Sequence, residues 1–442
     1  MVDVRYYDIR CVRGETTVID IDNGVVESAG TSFFDKAVIR VLGPKGWGFL
    51  TRDHVEIDSK RELNALVEEA ARLAAVTADE IDLADAPRGA LPVPPLGEDP
   101  RDIDLEEKTR LLAGIEDAAR VPGVVNTRAR YTEGIDSVRF LDSSGNEYSY
   151  ESVRSGFSVI AVASRNGVMQ MGSERDHVIT GFNLRGKQDL GRKAGEIAVS
   201  LLDAKLPKGG THRAVLDPEL AGVFTHEAVG HASEGDLIRE GASVLGGRIG
   251  ERIGCEGLVI VDDPTLHEFG FMPVDAEGVA VRRTEIIRDG ILTSYLHNRE
   301  TLAAVGNGIA GHARAEHGAP PIVRMSNTFI ENGDATYDEI ISECMDGILL
   351  IGSRGGQVDP GRGVFQFNAE YGYLIEGGEK TDMVRDVSLS GEILSTLHNI
   401  ALIGNDRRMS PGYCGKGGQS VPVSDGAPHL LLENAVIGGR GE

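Results

Sequence analysis

Apolar and polar positions alternate through residues 5–50, in the segments YYDIRCVR, TTVIDID and AVIRVLG, with the turn sequences DNG and GPKG between them. A period of two that is broken by turn signals predicts an antiparallel meander. The period becomes helical in SKRELNALVEEAARLAAV, where Ser59 and Glu62 have the spacing of a capping box. The chain is therefore predicted to begin with strands followed by a helix.

A proline-rich segment at residues 86–100 separates this unit from further helices and strands. A helical pattern begins near Leu105, and strand patterns follow in VVNTRARYT, SVRFLD, EYSYES, GFSVIAVAS and VMQMGS. Residues 189–204 are helical again, and the pattern breaks at KLPKGGTHR. We predict an α+β protein, with an N-terminal strand–helix domain built on an antiparallel sheet (residues 1–207) and a strand-rich C-terminal domain (residues 208–442).

The first helix of the C-terminal domain is predicted to begin with Asp217 as its N-cap and Pro218 at its first position. It continues through the hexamer HEAVGH, in which His226 and His231 flank Glu227. In helical zinc peptidases the two histidines are four residues apart, whereas here they are five apart. On an ideal helix a spacing of five puts them about 140° apart, and an inserted residue in a π-bulge would bring them back together. The hexamer is therefore either part of a metal-binding helix with a π-bulge or two unrelated histidines.

Gly230 stands directly before His231, and a glycine lowers the steric cost of a backbone distortion there. Catalytic zinc takes three protein ligands and an open position, so a third ligand must come from elsewhere in the chain. Cys414 is a candidate, since it lies in the glycine-rich segment MSPGYCGKGGQS, where Lys416 would favour its thiolate form. The other candidates for a third ligand are Glu234, Asp236, His267, His297, His312 and His317.

A metal at this helix would give several residues a role. Glu227 would be the general base that activates the attacking water at the ion. Glu234 and Asp236 would orient a ligand imidazole through its far nitrogen, or they would be ordinary carboxylates at the end of the helix. The candidates for a hydrogen bond to the tetrahedral oxyanion are Tyr295, His297 and the backbone of residues 415–418. The sequence assigns no substrate-binding residue.

Charge and composition exclude several other classes of function. The net charge of −24, from 69 acidic and 45 basic residues, repels a phosphate backbone, so nucleic-acid binding is not expected. No apolar run approaches the length of a membrane span, and the N-terminus has no signal-peptide pattern. The four cysteines are scattered without a CxxC pair. A cytoplasmic protein without disulfides and without a membrane partner is therefore expected.

HEAVGHASEGD, together with the downstream GYCGKGGQ, resembles the TldD branch of the TldD/TldE (PmbA) family. DAEGVAVRRTEIIRDGILTSYLH, HARAEHGAPPIVRMSNTFI and GGQVDPGRGVFQFNAEYGYLIEGG are similar as well, so the resemblance covers nearly the whole chain. It implies a cytoplasmic metallopeptidase that cleaves short or unfolded peptides, such as leader peptides and labile antitoxin-like proteins. We expect one zinc ion per chain, with another divalent metal as the alternative.

The resemblance also implies roles for individual residues and a partner. His226 and His231 fall on the histidine ligands, Cys414 on the thiolate ligand and Glu227 on the catalytic glutamate. The TldE branch lacks the metal motif, so this chain is expected to be the active subunit. Its expected partner is a TldE-like paralogue, or else an identical chain, around an enclosed cavity in which the peptide pairs as a β-strand. The chain departs from the family pattern at EHGAPP, residues 316–321, where relatives often carry an aromatic and a basic residue.

Two other functions compete with this interpretation. The first is a non-enzymatic peptide-binding or regulatory partner whose metal is structural or absent. A structural zinc normally has four protein ligands, so a fourth ligand from Glu234 or Asp236 would favour it. The second is an amidase or esterase in which Cys414 is the nucleophile, but the sequence offers no obvious group to orient it.

Overall fold

The computed structural model describes residues 3–439, and it confirms an α+β protein in which helices lie against antiparallel and mixed sheets. The first six strands are β1 (Tyr6–Asp22), β2 (Val25–Gly43), β3 (Gly46–Asp53), β4 (Val124–Asp142), β5 (Glu147–Arg165) and β6 (Val168–Val178). They form one antiparallel sheet in the order β3–β2–β1–β4–β5–β6. The predicted meander is therefore confirmed, and the later strands extend it on the other side of β1.

Two of these strands are longer than the sequence pattern predicted. VVNTRARYT and SVRFLD form the single strand β4, and EYSYES and GFSVIAVAS form the single strand β5. The glycine between the first two segments does not end the strand, because Gly134 pairs with Thr16 of β1 on one side and with Arg154 of β5 on the other. Pairing on both edges holds the backbone extended through a residue that pattern alone treats as a break.

Three helices cover one face of this sheet: α1 (Lys60–Ala74), α2 (Leu105–Ala118) and α3 (Gln188–Ser200). Ser59 caps α1 by accepting a hydrogen bond from the backbone N–H of Glu62 at 3.4 Å. The apolar sides of α2 and α3 pack on β1, β4 and β5, with Leu112 and Ile115 fully buried among the strand residues. A short 3-10 turn (Pro100–Asp102) precedes α2.

The rest of the chain is rich in short strands, as predicted. In chain order these are β7 (Gly210–Leu216), β8 (Ile260–Asp262), β9 (Thr284–Arg288), β10 (Ile291–Leu292), β11 (Tyr295–His297), β12 (Gly308–Ala310), β13 (Ala313–Arg314), β14 (Ile322–Val323), β15 (Asn327–Ile330), β16 (Gly347–Ile351), β17 (Gly356–Asp359), β18 (Val364–Asn368), β19 (Tyr371–Glu376), β20 (Glu379–Val384), β21 (Ser388–Glu392), β22 (Ile400–Ile403), β23 (Arg408–Lys416), β24 (Gln419–Ala427) and β25 (Leu430–Gly438). The helices are α4 (Pro218–Phe224), α5 (Gly235–Arg239), α6 (Arg299–Val305), α7 (Tyr337–Cys344) and α8 (Ile393–His398).

These strands form two larger sheets and two small pairs. The nine-stranded sheet has the order β17–β18–β21–β25–β7–β16–β19–β20, with β22 pairing with β25. The six-stranded sheet has the order β10–β9–β8–β15–β24–β23, so β23 is an edge strand. Leu220 and Phe224 of α4 share one buried core with Phe367 of the nine-stranded sheet and Val423 of this six-stranded sheet. This shared core positions the residues that follow α4.

None of the helices between residues 3 and 439 has the length and hydrophobicity needed to cross a membrane.

Candidate metal centre

The helix that carries HEAVGH changes its geometry at the hexamer. α4 begins with the predicted N-cap, Asp217. Thr225–Gly230 then form a π-helical turn, and His231–Ser233 form a 3-10 turn. The predicted π-bulge is therefore confirmed. Each residue of a helix turns by about 100°, so one inserted residue brings His231 back to the side of His226.

Tertiary packing requires a glycine at position 230, in addition to the local backbone distortion that the sequence suggested. A Cβ built on Gly230 would overlap the Sδ of Met325, which lies between β14 and β15. Ser233 donates a hydrogen bond to the carbonyl oxygen of Gly230 at 2.8 Å, and Thr225 donates to that of Ala221 at 2.7 Å. The π-helical turn is thus fixed by side chains at both of its ends and by close packing in between.

The third side chain of the candidate metal site, that of Cys414, comes from a strand almost two hundred residues further along the chain. Cys414 lies in the edge strand β23 opposite Val421 of β24, and α4 packs against this pair of strands. The ligand atoms of Cys414, His226 and His231 all lie within 4.8 Å of one another. The Sγ of Cys414 is 3.3 Å from Nε2 of His231. Among residues 3–439, no second group of three His, Cys, Asp or Glu ligand atoms converges in this way.

The electrostatics of the cluster favour a thiolate. Burial alone would raise the pKa of Cys414, but hydrogen bonds from His226 and His231 outweigh it and lower the pKa to about 4. Burial alone would also lower the pKa of His231, but Glu234 and Cys414 raise it well above its ordinary value. Two imidazoles and a thiolate form a donor set that zinc prefers, so the residues of this chain fit the ion.

Glu227 lies beside the cluster on its more open side. Its side chain is 32% exposed, whereas that of His231 is only 12% exposed. The Oε2 atom of Glu227 is 4.0 Å from Nε2 of His231. A carboxylate 4.0 Å from a nitrogen of the cluster is close enough to reach a water molecule held at the cluster, as a general base must.

Glu234 contacts the cluster directly. Its buried Oε2 accepts a hydrogen bond from Nδ1 of His231 at 2.9 Å and forms an ion pair with Nζ of Lys416 at 2.9 Å. Burial would raise the pKa of Glu234, but these two partners lower it. The contact fixes the ring of His231 so that Nε2 faces Cys414. Asp236 lies one step further away and accepts from Lys416 at 2.7 Å.

Lys416 therefore has a different role from the one expected from the sequence, which was to favour the thiolate form of Cys414. The structure pairs it with Glu234 and Asp236, and its third hydrogen bond goes to the carbonyl oxygen of Val323 at 3.1 Å. Its positive charge holds the carboxylate that orients His231.

The structure does not bring Tyr295 and His297 into the cluster. The hydroxyl of Tyr295 donates to the carbonyl oxygen of Leu245 at 2.7 Å. The two ring nitrogens of His297 lie 3.0 Å from the Thr301 hydroxyl and 3.0 Å from the Gly306 carbonyl oxygen. Both side chains are buried and already engaged within the described part of the chain.

Three further histidines considered as third ligands also lie outside the cluster: His267, His312 and His317. His312 is buried 3.6 Å from the carboxylate of Asp262. His317 lies 3.0 Å from Asp136 and stacks on Phe34.

Arg324 was not predicted from the sequence as a site residue, yet it contacts the backbone of Cys414. Arg324 is fully buried in the segment between β14 and β15, and its Nη2 donates to the carbonyl oxygen of Cys414. Its Nη1 donates to the carbonyl oxygen of Gln419 at 3.3 Å, on the facing strand of the hairpin. A lone arginine inside the apolar run PPIVRM was the one available signal.

Comparison with known proteins identifies relatives along the whole chain. The family models of PmbA/TldA metallopeptidase domain 1, central domain and C-terminal domain match residues 7–74, 98–202 and 209–439. A metalloprotease of Methanothermobacter thermautotrophicus is 40% identical, covering 99% of this chain and 96% of its own length. A zinc metalloprotease TldD homolog of Saccharolobus solfataricus is 29% identical, covering 99% and 96%.

Two solved structures have the same fold at low sequence identity. A Thermotoga maritima protein named as a modulator of a DNA gyrase superposes with a TM-score of 0.82 at 20% identity, covering 98% of this chain and 96% of its own. TldE from Thermococcus kodakarensis superposes with a TM-score of 0.79 at 19% identity, covering 99% and 97%.

Proposed function

This chain belongs to the PmbA/TldD metallopeptidase family, and from that premise we propose that it is a zinc-dependent, TldD-type peptidase that cleaves short or unfolded peptides. Leader peptides and labile antitoxin-like proteins are the proposed substrates. The observation that carries the proposal is the convergence of His226, His231 and Cys414, with Glu227 beside them on the more open side. We propose one zinc ion per chain, held by these three side chains.

The zinc ion, when bound, supplies a Lewis acid that polarises the scissile carbonyl. Glu227 accepts the proton of the attacking water and passes it to the leaving amine. Glu234 holds Nδ1–H of His231, so that Nε2 stays directed at the ligand cluster. Arg324 holds the backbone of Cys414, and so fixes the thiolate against the two imidazoles.

The ligand count supports catalysis over a purely structural metal. A structural zinc would need a fourth protein ligand, and among residues 3–439 no fourth His, Cys, Asp or Glu ligand atom converges with these three. Glu234 is bound to His231 and Lys416, and Asp236 is bound to Lys416. An open position is what a hydrolytic zinc site requires.

One specific observation favours a second candidate, in which Cys414 is a nucleophile. The 3.3 Å distance between Cys414 Sγ and His231 Nε2, together with the lowered pKa of the thiol, also suits a cysteine–histidine dyad. The second imidazole, His226, has no role in a dyad but has one in a metal site. Because only the zinc peptidase needs a metal, metal dependence separates the two candidates.

Metal content of the purified chain beside its Cys414→Ser variant tests the proposal. We expect about one zinc ion per unmodified chain, because catalytic sites hold one ion with three protein ligands, and a clear loss of zinc from the variant. Peptide hydrolysis should stop on chelation and return with zinc. Hydrolysis that survives chelation but is lost in Cys414→Ser would support the cysteine nucleophile instead. Absence of both metal and hydrolysis after reconstitution would leave the non-enzymatic peptide-binding partner.

We further propose a TldE-like paralogue as the partner, with an identical chain as the alternative. The fold match to TldE is compatible with pairing between related subunits.

We propose two domains, residues 1–207 and residues 208–442. All six strands of the first sheet lie within residues 6–178, which supports this division. A cytoplasmic location is proposed because all four cysteines are free.

A further inference from the structure

A cavity of about 320 Å³ lies where the N-terminal sheet meets the hairpins of the C-terminal half. Its walls include Arg10 of β1, Arg154 of β5 and Arg314 of β13, and we call it the arginine cavity. Tyr413 and Val421 also line it; these are the chain neighbour and the cross-strand partner of Cys414. The cavity therefore adjoins the strand pair that carries the proposed thiolate ligand. Its volume is within the range of small-ligand sites.

The three guanidinium groups of the arginine cavity form no ion pair within the described part of the chain. Among residues 3–439, none of them lies within 4.0 Å of a carboxylate oxygen. Nη1 of Arg10 is buried and has no hydrogen-bond partner among the residues that the structure describes. Arg314 is only 5% exposed and donates one hydrogen bond, from Nη1 to the carbonyl oxygen of Met325 at 2.7 Å. Arg154 donates to the carbonyl oxygens of Phe269 and Phe271 and to the hydroxyl of Ser152.

Two carboxylates, those of Asp136 and Glu316, also line the cavity, and each contacts another lining residue rather than one of the three arginines. Asp136 Oδ2 is 3.0 Å from His317 Nε2, and Glu316 Oε2 accepts from the backbone N–H of Ser420 at 3.0 Å. Burial and the positive charges of Arg154 and Arg324 lower the pKa of Arg314 to about 9, so it stays protonated at neutral pH.

Arg314 is buried near Arg154 and Arg324 and forms no ion pair within residues 3–439. A buried positive charge beside like charges, without a counter-ion in contact, destabilises a fold. The arrangement is explained if an anion completes it in the working protein. Guanidinium groups suit a carboxylate in particular, because two parallel N–H groups match its two oxygens. A peptidase offers such a group in every substrate.

We propose that the arginine cavity binds a carboxylate of the peptide substrate, with Arg314 as its main contact, while the scissile bond lies at the His226–His231–Cys414 cluster. The carboxylate comes either from the C-terminus of the peptide or from an acidic side chain. This inference rests on the proposed peptidase function for its substrate. It adds a selectivity that strand pairing alone does not provide, since backbone pairing ignores side chains and termini.

Binding without turnover tests the inference separately from the chemistry. The zinc-loaded Glu227→Gln full-length chain, with its partner where one copurifies, is titrated with three fluorescent peptides of neutral residues. The first has a free C-terminal carboxylate, the second a C-terminal amide, and the third is the amide with one internal glutamate. We expect the first or the third to bind about tenfold more tightly than the second, since charge-assisted hydrogen bonds to a carboxylate are strong. Which of the two binds more tightly identifies the source of the carboxylate.

Arg314→Gln, added to the same background, should bring the affinity ratio close to one. Arg192→Gln is the matched control, because Arg192 is an exposed arginine of α3 paired with Asp189, and it should leave the ratio intact. If Arg314→Gln does not fold, Arg10→Gln from the opposite wall should reduce the ratio. The inference is overturned if all three peptides bind alike or fail to bind, or if the ratio survives in the cavity variants. If the unmodified chain hydrolyses no peptide, the proposed function fails, yet these affinities still decide the role of the cavity.

Discussion

Two buried charged regions of this protein differ in how completely their groups are paired. Near the junction of the two halves, Arg40 of β2 binds both Asp8 of β1 and Glu277, at 2.5 and 3.2 Å between the closest atoms. All three side chains are nearly inaccessible to solvent. In the cluster of His226, His231 and Cys414, by contrast, Nδ1 of His226 is buried without a partner among residues 3–439, and the ligand atoms of the three side chains lie within 4.8 Å of one another.

One region therefore stabilises the fold, and the other is the one that we propose binds a ligand. Burial would lower the pKa of Arg40, but the carboxylates of Asp8 and Glu277 raise it above its ordinary value, so this group is complete without any added component. For the cluster of His226, His231 and Cys414 we propose instead that a cation takes the place of the protons between the three groups. Loss of a paired charge should therefore affect stability, and loss of a cluster residue should affect metal and rate.

Glu227→Gln should give the largest change and should confine it to catalysis. We expect the rate of peptide hydrolysis to fall by about 10²- to 10⁴-fold, the range of general-base contributions, because glutamine cannot accept the proton. The zinc content and the unfolding midpoint should stay near those of the unmodified chain, since Glu227 is not one of the three ligands. Steady-state kinetics beside metal analysis make the test. An unchanged rate with full metal content would remove Glu227 from the mechanism.

Arg40→Met should give the opposite result. It leaves the carboxylates of Asp8 and Glu277 buried without a cation, which costs about 3 to 5 kcal/mol of unfolding free energy. The zinc content of the folded fraction should not change. Denaturant unfolding of the metal-free chain measures the loss, with Arg192→Gln as an exposed arginine control. A loss below about 1 kcal/mol, typical of a surface ion pair, would contradict the structural role of Arg40.

How much of the structure the sequence could predict depends on how far apart the interacting residues lie along the chain. The meander, the capped α1 and the π-bulge follow from local patterns, because alternation, capping and helix geometry act over a few residues. The pairing of Arg40 with Glu277 joins residues 237 positions apart and could not be predicted. The double contact of Glu234 with His231 and Lys416 likewise depends on how β23 packs near α5, which no local pattern specifies.

Glu234→Gln tests whether a residue that contacts His231 affects metal binding, as the cluster residues should, or stability, as Arg40 should. We expect zinc affinity to fall by about 10- to 100-fold, as is typical when a group that orients a ligand histidine is lost. Asp236→Asn is the matched control, because Asp236 contacts Lys416 without touching His231, and its effect should be smaller. Competition with a chelator of known affinity measures both. Equal affinities for Glu234→Gln and the unmodified chain would show that His231 needs no orienting partner.

Asp217→Asn should give the smallest effect, and it concerns a half-paired carboxylate at the start of the helix that leads into HEAVGH. Asp217 accepts hydrogen bonds from the backbone N–H groups of Leu220 and Gly352, but it has no ion pair among residues 3–439, and burial raises its pKa to about 7. A folded-state pKa above the unfolded value means that the folded chain holds the proton more tightly. The contribution of Asp217 to stability is therefore greatest below about pH 4 and is lost as the pH rises to about 7.

In the Asp217→Asn variant, asparagine still caps the helix but cannot ionise. The unfolding free energy of the variant should thus rise relative to that of the unmodified chain as the pH increases from about 4 to about 7, as measured by denaturant unfolding across that range. A difference that does not vary with pH would mean that the two backbone N–H groups keep the carboxylate ionised despite its burial, and Asp217 would then resemble the fully paired groups around Arg40.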